Sequence, residues 1–150
     1  MITPTPHVLF LCTGNYYRSR FAEHLFNHLA KDYALSWQAY SRGLATELVE
    51  EEAGPISPFT LQALAERGIP MDGQVRPPIQ VSEHDLACAH QVIALKQAEH
   101  QPLLSLKFPA WAERVEYWHV HDIDFASPED SIPQIEEEIH RLLKRFASAA

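Results

Sequence analysis

Residues 7 to 26, HVLFLCTGNYYRSRFAEHLF, constrain the fold more than any other stretch. His7-Val8-Leu9-Phe10-Leu11 is a near-continuous apolar run, the pattern of a strand buried on both faces. Thr13-Gly14-Asn15 is a turn signal. Behind it Phe21, Leu25 and Leu29 recur every four residues, with Ala22, Phe26 and Ala30 beside them on one helical arc. Arg20, Glu23, His24, Asn27 and Lys31 fall on the opposite arc, which predicts a solvated face. Strand, tight glycine turn and amphipathic helix together form one unit of an α/β domain.

The rest of the chain continues that alternation. Leu35 to Tyr40 reads as a second strand, ended by Ser41-Arg42-Gly43, and the acidic stretch from Thr46 to Gly54 reads as a loop or short helix. Ser57-Pro58 opens a helix, Ser as N-cap and Pro at the first helical position, with Leu61, Leu64 and Ala65 inward and a stop at Gly68. Residues 72 to 81 are a loop, and Ser82 to Asp85 is a capping box for a short helix through Ala89. His90 to Leu95 is a third strand, a helix covers about 97 to 106, and Val115 to Val120 is a fourth strand. Ile135, Ile139, Leu142, Leu143 and Phe146 mark a C-terminal amphipathic helix. The expected class is α/β, a four-stranded parallel open sheet with helices on both faces. The 150 residues fit one domain, 1–150. In such sheets ligands bind outside the carboxyl ends of the strands, and both Cys12 and Asp122 fall just past predicted strand ends.

Composition excludes several functions. The net charge of −8 opposes nucleic acid and anionic membrane, so neither is an expected partner. No apolar run approaches the roughly 20 residues of a membrane span. The N-terminus lacks a basic leader, so a cytoplasmic location is expected. The two cysteines, Cys12 and Cys88, form no CxxC pair and no disulfide framework. Cys88 lies among Leu86, Ala87 and Ala89 and reads as a packed, inert thiol.

Cys12 and Arg18 carry the chemistry. A phosphoryl group offers three outer oxygens, and consecutive backbone amides of a tight loop followed by a helix N-terminus can satisfy them. Thr13, Gly14, Asn15, Tyr16, Tyr17, Arg18 and Ser19 are the residues of such a loop, and Gly14 permits close approach and unusual torsions. An Arg at the far end grips two oxygens with its planar fork. The same field favours the thiolate of Cys12, ready for in-line attack on phosphorus. With eight Arg in 150 residues, a Cys meets an Arg six places on about one time in twenty by chance. The setting gives the spacing its weight: buried strand, Cys at its end, Gly-Asn within, and Arg-Ser opening a helix.

These residues resemble the N-terminus of the low-molecular-weight protein tyrosine phosphatase family, and the resemblance extends over essentially the whole chain. Ser41-Arg42-Gly43 is similar to that family's Ser-Ala-Gly segment, and SPFTLQALAERGIPM to its second helix and following turn. The resemblance implies Cys12 as nucleophile, Arg18 as phosphate clamp, and Ser19 as the hydroxyl that hydrogen-bonds the cysteine sulfur. It implies Asn15, helped by Ser41, as the residue holding the loop in shape. The family's His that also supports this Asn falls near Gly73 or Gln74 here, so that partner is missing.

A phosphatase of this kind needs a proton donor for the leaving oxygen. The resemblance places it at Asp122 in YWHVHDIDF, where Ile123 replaces the family's Pro, with Asp124 two residues on as the alternative. Tyr16, Tyr17 and Phe125 are candidates to line an aryl slot, unless one tyrosine packs or faces solvent. Leu95-Lys96 stands where the family often has Met-Asp, which predicts a less acidic cleft rim. His119 and His121 alternate on a strand but lack a third ligand cluster, so no metal is expected and no cofactor.

The leading expectation is a cysteine-dependent phosphomonoesterase acting on a phosphotyrosine protein or a small aryl phosphate through phosphocysteine. Arsenate reductase of the same fold, and a non-catalytic phosphate- or partner-binding module, are the alternatives. The sequence specifies no oligomeric state.

Overall fold

A computed structural model describes residues 5–71, 75–120 and 128–149. Its centre is a four-stranded parallel sheet made of β1 (His7–Cys12), β2 (Gln38–Gly43), β3 (Gln91–Ala94) and β4 (Glu116–Tyr117), in the order β2-β1-β3-β4. The helices are α1 (Arg18–Ala30), α2 (Pro58–Glu66), α3 (Glu83–Cys88), α4 (Gln97–Lys107) and α5 (Pro128–Ala149). None of the described helices is long and apolar enough to cross a membrane.

The continuous apolar run of β1 is explained by helices on both faces. Val8 and Phe10 pack with Phe21, Leu25 and Phe26 of α1, Leu64 of α2, and Ile135 and Ile139 of α5. Leu9 and Leu11 point the other way, into a second cluster with Leu86 of α3 and Leu104 of α4. At ~1.5–3 kcal/mol per fully buried side chain, β1 alone anchors both halves of the core.

Several local expectations hold. Ser57 accepts the Phe59 amide at 3.2 Å as N-cap of α2, and Ser82 and Asp85 form a reciprocal capping box on α3. The acidic stretch contains two 3-10 turns, Thr46–Leu48 and Glu51–Ala53.

Three expectations are corrected. β2 begins at Gln38, not Leu35, and includes Ser41-Arg42-Gly43. The chain spends residues 31 to 37 turning after α1, through a 3-10 turn and left-handed Ala34 (φ 55°), and Asn27 then clamps both backbone groups of Ala39. β4 is only two residues long, although Trp118 and Val120 still donate to Ala94 and Leu95. Cys88 is exposed rather than packed. It lies two residues beyond buried Leu86 on the short α3, which turns it to the opposite side of the helix.

Candidate active site

Cys12 ends β1, and the chain must turn sharply to start α1 at Arg18. Gly43 makes room for that turn. A Cβ there would sit 3.0 Å from the Asn15 nitrogen, 3.0 Å from the Gly14 carbonyl carbon and 2.6 Å from Thr46 Cγ2. Gly14 serves the same end, since a Cβ on it would meet Val49 Cγ2 at 2.7 Å. The unusual torsion falls on Asn15 instead, at φ 52°, in the left-handed region that Asn tolerates better than most residues.

The carbonyls of the loop are tied outward. Cys12 O accepts from Leu44 N (2.9 Å), Thr13 O from Ala45 N (2.8 Å) and Tyr16 O from Ser57 N (3.0 Å). Tyr17 O accepts from Phe21 N (3.1 Å) and Thr60 Oγ1 (3.0 Å). Arg20 Nη1 donates to Asn15 O at 3.2 Å. In a trans peptide the next N–H points opposite to the C=O. Outward carbonyls at 12, 13, 15, 16 and 17 therefore turn the amides of Thr13, Gly14, Tyr16, Tyr17 and Arg18 toward the inside. A ring of amides at the N-terminus of α1 is a cradle for a tetrahedral oxyanion.

The loop closes on its two reactive side chains. Cys12 Sγ lies 2.9 Å from Ser19 Oγ, and both residues are buried. Asn15 biases the direction of that hydrogen bond. Its Oδ1 accepts from the Ile79 backbone N–H at 3.0 Å and from Arg76 Nη1 at 3.0 Å, which fixes the amide orientation. Its Nδ2 donates to Ser19 Oγ (2.9 Å) and Ser41 Oγ (3.0 Å). With one acceptor site of Ser19 taken by Asn15, its proton remains available to the sulfur.

Behind Asn15 lies a buried charge cluster. Arg20 is fully buried and also donates to Pro55 O (3.1 Å) and Arg76 O (2.6 Å). Burial and the neighbouring Arg76 charge push its guanidinium down to about 10, against the pull of Glu23 and Cys12, so it stays charged at neutral pH. Glu23 Oε1 accepts from Ser41 Oγ (2.5 Å) and pairs with Arg76 Nη2 (3.2 Å), while Arg76 Nη2 also reaches Ser41 O and Oγ. Arg20 and Glu23, expected on a solvated arc, are thus part of the support of the loop. Apart from Asn15 O, their partners lie 18 to 56 residues away in sequence, where helical periodicity carries no signal.

Arg18 is 3% exposed, and its Nη2 donates to Glu99 Oε2 at 2.6 Å. Thr13 Oγ1 donates to the same oxygen. His100 Nδ1 accepts the Lys96 N–H, so its ring proton is on Nε2, 3.1 Å from Glu99 Oε2. Burial works to raise the Glu99 carboxyl, but hydrogen bonds from His100, Arg18 and Thr13 and the Arg18 charge hold it far below the usual carboxylate range. This side of the site therefore still carries a carboxylate despite Lys96: Glu99, three residues on, supplies it.

Cys12, Thr13, Gly14, Asn15, Tyr16, Arg18, Ser19 and Ser41 are brought together at the carboxyl end of the sheet. Tyr17 is corrected as a slot residue: its ring is buried in the core, edge-on to Phe59. Tyr16 Oη donates to Ala53 O at 2.6 Å, tying the loop to the acidic wall. Asp122, Asp124, Phe125, His121, Gly73 and Gln74 lie outside the described residues. His119 is exposed, and no group of three potential metal ligands occurs among the described residues.

Comparison with known proteins agrees with this geometry. The chain is 27% identical over 148 residues to the protein-arginine-phosphatase of Bacillus subtilis strain 168, covering 93% of each. It is 28% identical over 145 residues to an arsenate reductase of Shouchella clausii, covering 93% of this chain and 94% of that one. The crystal structure of YfkJ from Bacillus subtilis superposes with a TM-score of 0.82 at 25% identity, covering 98% of both chains. Residues 7–149 match the model of the low molecular weight phosphotyrosine protein phosphatase family, and the chain belongs to that family.

Proposed function

We propose that Cys12 is the nucleophile of a phosphomonoesterase that forms a phosphocysteine, with Arg18 and the loop amides holding the phosphoryl oxygens. The observation that carries this reading is the Cys12 Sγ–Ser19 Oγ contact of 2.9 Å inside a loop whose carbonyls are tied outward. The thiolate attacks phosphorus in line, forming the S–P bond as the P–O bond to the leaving group breaks. Asp122, or Asp124 two residues on in the sequence, gives that oxygen its proton and then takes one from the water that attacks phosphocysteine. Phosphate leaves, and sulfur departs as a thiolate stabilised by the Ser19 hydroxyl.

The substrate assigned is phosphotyrosine in a protein, or a small aryl phosphate, as the family implies. The protein-arginine-phosphatase relative makes phosphoarginine the comparison to run beside it. The test is hydrolysis of p-nitrophenyl phosphate, a phosphotyrosine peptide and a phosphoarginine peptide, with and without a chelator, by wild type and Cys12→Ser. Turnover by the wild type that is lost in Cys12→Ser supports the reading, and an active Cys12→Ser overturns it.

Arsenate reduction is the second reading, favoured by the Shouchella clausii relative. Within this chain Cys88 is a poor relay for Cys12. Val8 is level with Gln91, so Cys12 lies four residues, roughly 13 Å, further along β1, whereas Cys88 precedes β3. A disulfide needs Cα atoms within about 7 Å. An arsenate activity would therefore draw its second thiol from outside the chain, and arsenate-dependent consumption of added thiol measures it.

A further inference from the structure

Resting on the assignment of Cys12 as nucleophile, we propose that Arg76 is a positioning residue for the reaction, acting on the sulfur through Asn15 and Ser19. Arg76 comes from a segment far from the loop in sequence. Its Nη1 donates to Asn15 Oδ1 at 3.0 Å. Its Nη2 is shared among Glu23 Oε1 (3.2 Å), Ser41 O (3.2 Å) and Ser41 Oγ (3.1 Å). Its own carbonyl accepts from Arg20 Nη2, and Arg20 in turn holds Asn15 O.

The consequence is a chain of directed hydrogen bonds. Arg76 can only donate, so Asn15 must present its oxygen to it and its NH2 group to Ser19 and Ser41. Ser19 then turns its proton to Cys12, while Ser41 passes its own to Glu23. Glu23 completes the device by fixing the guanidinium. A guanidinium stays charged across the working pH range, so this orientation does not titrate away as a histidine donor's would. Ile79 N–H supplies a second donor to Asn15 Oδ1 but no charge.

Arg76→Lys separates this role from plain structural support. The ammonium keeps the ion pair with Glu23 but cannot span Asn15 and Ser41 with a planar fork. Kinetics with p-nitrophenyl phosphate are measured for wild type, Arg76→Lys, Ser19→Ala and the double variant, with melting temperatures alongside. We expect Arg76→Lys to lower kcat about tenfold with KM within about twofold, the order of one charge-assisted hydrogen bond. On the Ser19→Ala background the same change should cost less than about twofold, because the relay is already cut. Wild-type kcat in Arg76→Lys, or the same fold-loss on both backgrounds, overturns the proposal. Should Arg76→Lys fail to fold, Glu23→Gln, which leaves Arg76 present but without its ion pair, must show the same dependence on Ser19. Cys12→Ser is the control that keeps the two ideas apart: activity there refutes the nucleophile, whereas an inactive Cys12→Ser beside a fully active Arg76→Lys refutes only the relay.

Discussion

Asn15 is the residue on which the loop's shape and its chemistry meet, and the two can be perturbed separately. Its side chain makes four hydrogen bonds, to Ser19 Oγ, Ser41 Oγ, Ile79 N–H and Arg76 Nη1, all within 3.0 Å. Asn15→Ala removes all four at ~1 kcal/mol each. It also places a residue with no local polar group at φ 52°, which adds ~1 kcal/mol over Asn. Water entering the space recovers part of this, so the expected loss is about 3–5 kcal/mol in urea denaturation. At about 2–4 °C per kcal/mol for a chain of this size, melting falls by roughly 6–20 °C. Asn15→Asp is the complementary change. It keeps an oxygen for Arg76 and Ile79 but offers Ser19 a carboxylate in place of a donor. The Ser19 proton then turns away from Cys12 Sγ, and a negative charge approaches the sulfur. Melting should stay within a few degrees of wild type while kcat on p-nitrophenyl phosphate drops tenfold or more. A loss below ~1 kcal/mol in Asn15→Ala, or wild-type kcat in Asn15→Asp, refutes the reasoning that this amide orients the site.

Glu99→Gln tests the clamp. Because the Glu99 carboxyl is held far below its usual range, its contribution is fully present above the unfolded value of about 4.3 and is lost as pH falls through the folded one. The variant should be destabilised by about 1–3 kcal/mol at pH 7, with the gap to wild type closing below pH ~4; a gap that widens on acidification contradicts this. Gly43→Ala should cost about 1–3 kcal/mol and lower activity, because the added methyl meets backbone of residues 14 and 15 that cannot retreat; urea denaturation with parallel kinetics checks it. The proton donor is assigned by pH-dependent kcat of Asp122→Asn and Asp124→Asn: the variant that loses the acid-dependent limb names it, and loss in neither removes both from the role.

The sheet and its helices were legible in the sequence because apolar burial is a property of single residues in a periodic pattern. The continuous run Val8 to Leu11 is apolar because each side chain meets one of two clusters, and that requirement is written at the residue itself. Cys12, Arg18, Ser19 and Ser41 were readable for a related reason: a strand, a five-residue turn and a helix fix most of their positions locally. Arg20, Glu23, Arg76 and Glu99 were not readable. Burial of a charge is decided by its partners, and those lie at Pro55 and Arg76 for Arg20, at Ser41 and Arg76 for Glu23, and at Thr13 and Arg18 for Glu99. A polar arc on α1 therefore means solvent only where no such partner arrives, and the end of α1 nearest the loop is where partners arrive. That asymmetry accounts for the differing fates of two residues on the same arc. Arg20, beside the loop, is fully buried with three carbonyls, whereas Lys31, just past the far end, is exposed. The loop amides turn inward to form an anion site only if their carbonyls are satisfied on the outside. Supplying that outer shell is what draws Arg20, and through it Arg76, into a position that the pattern of α1 alone assigns to water.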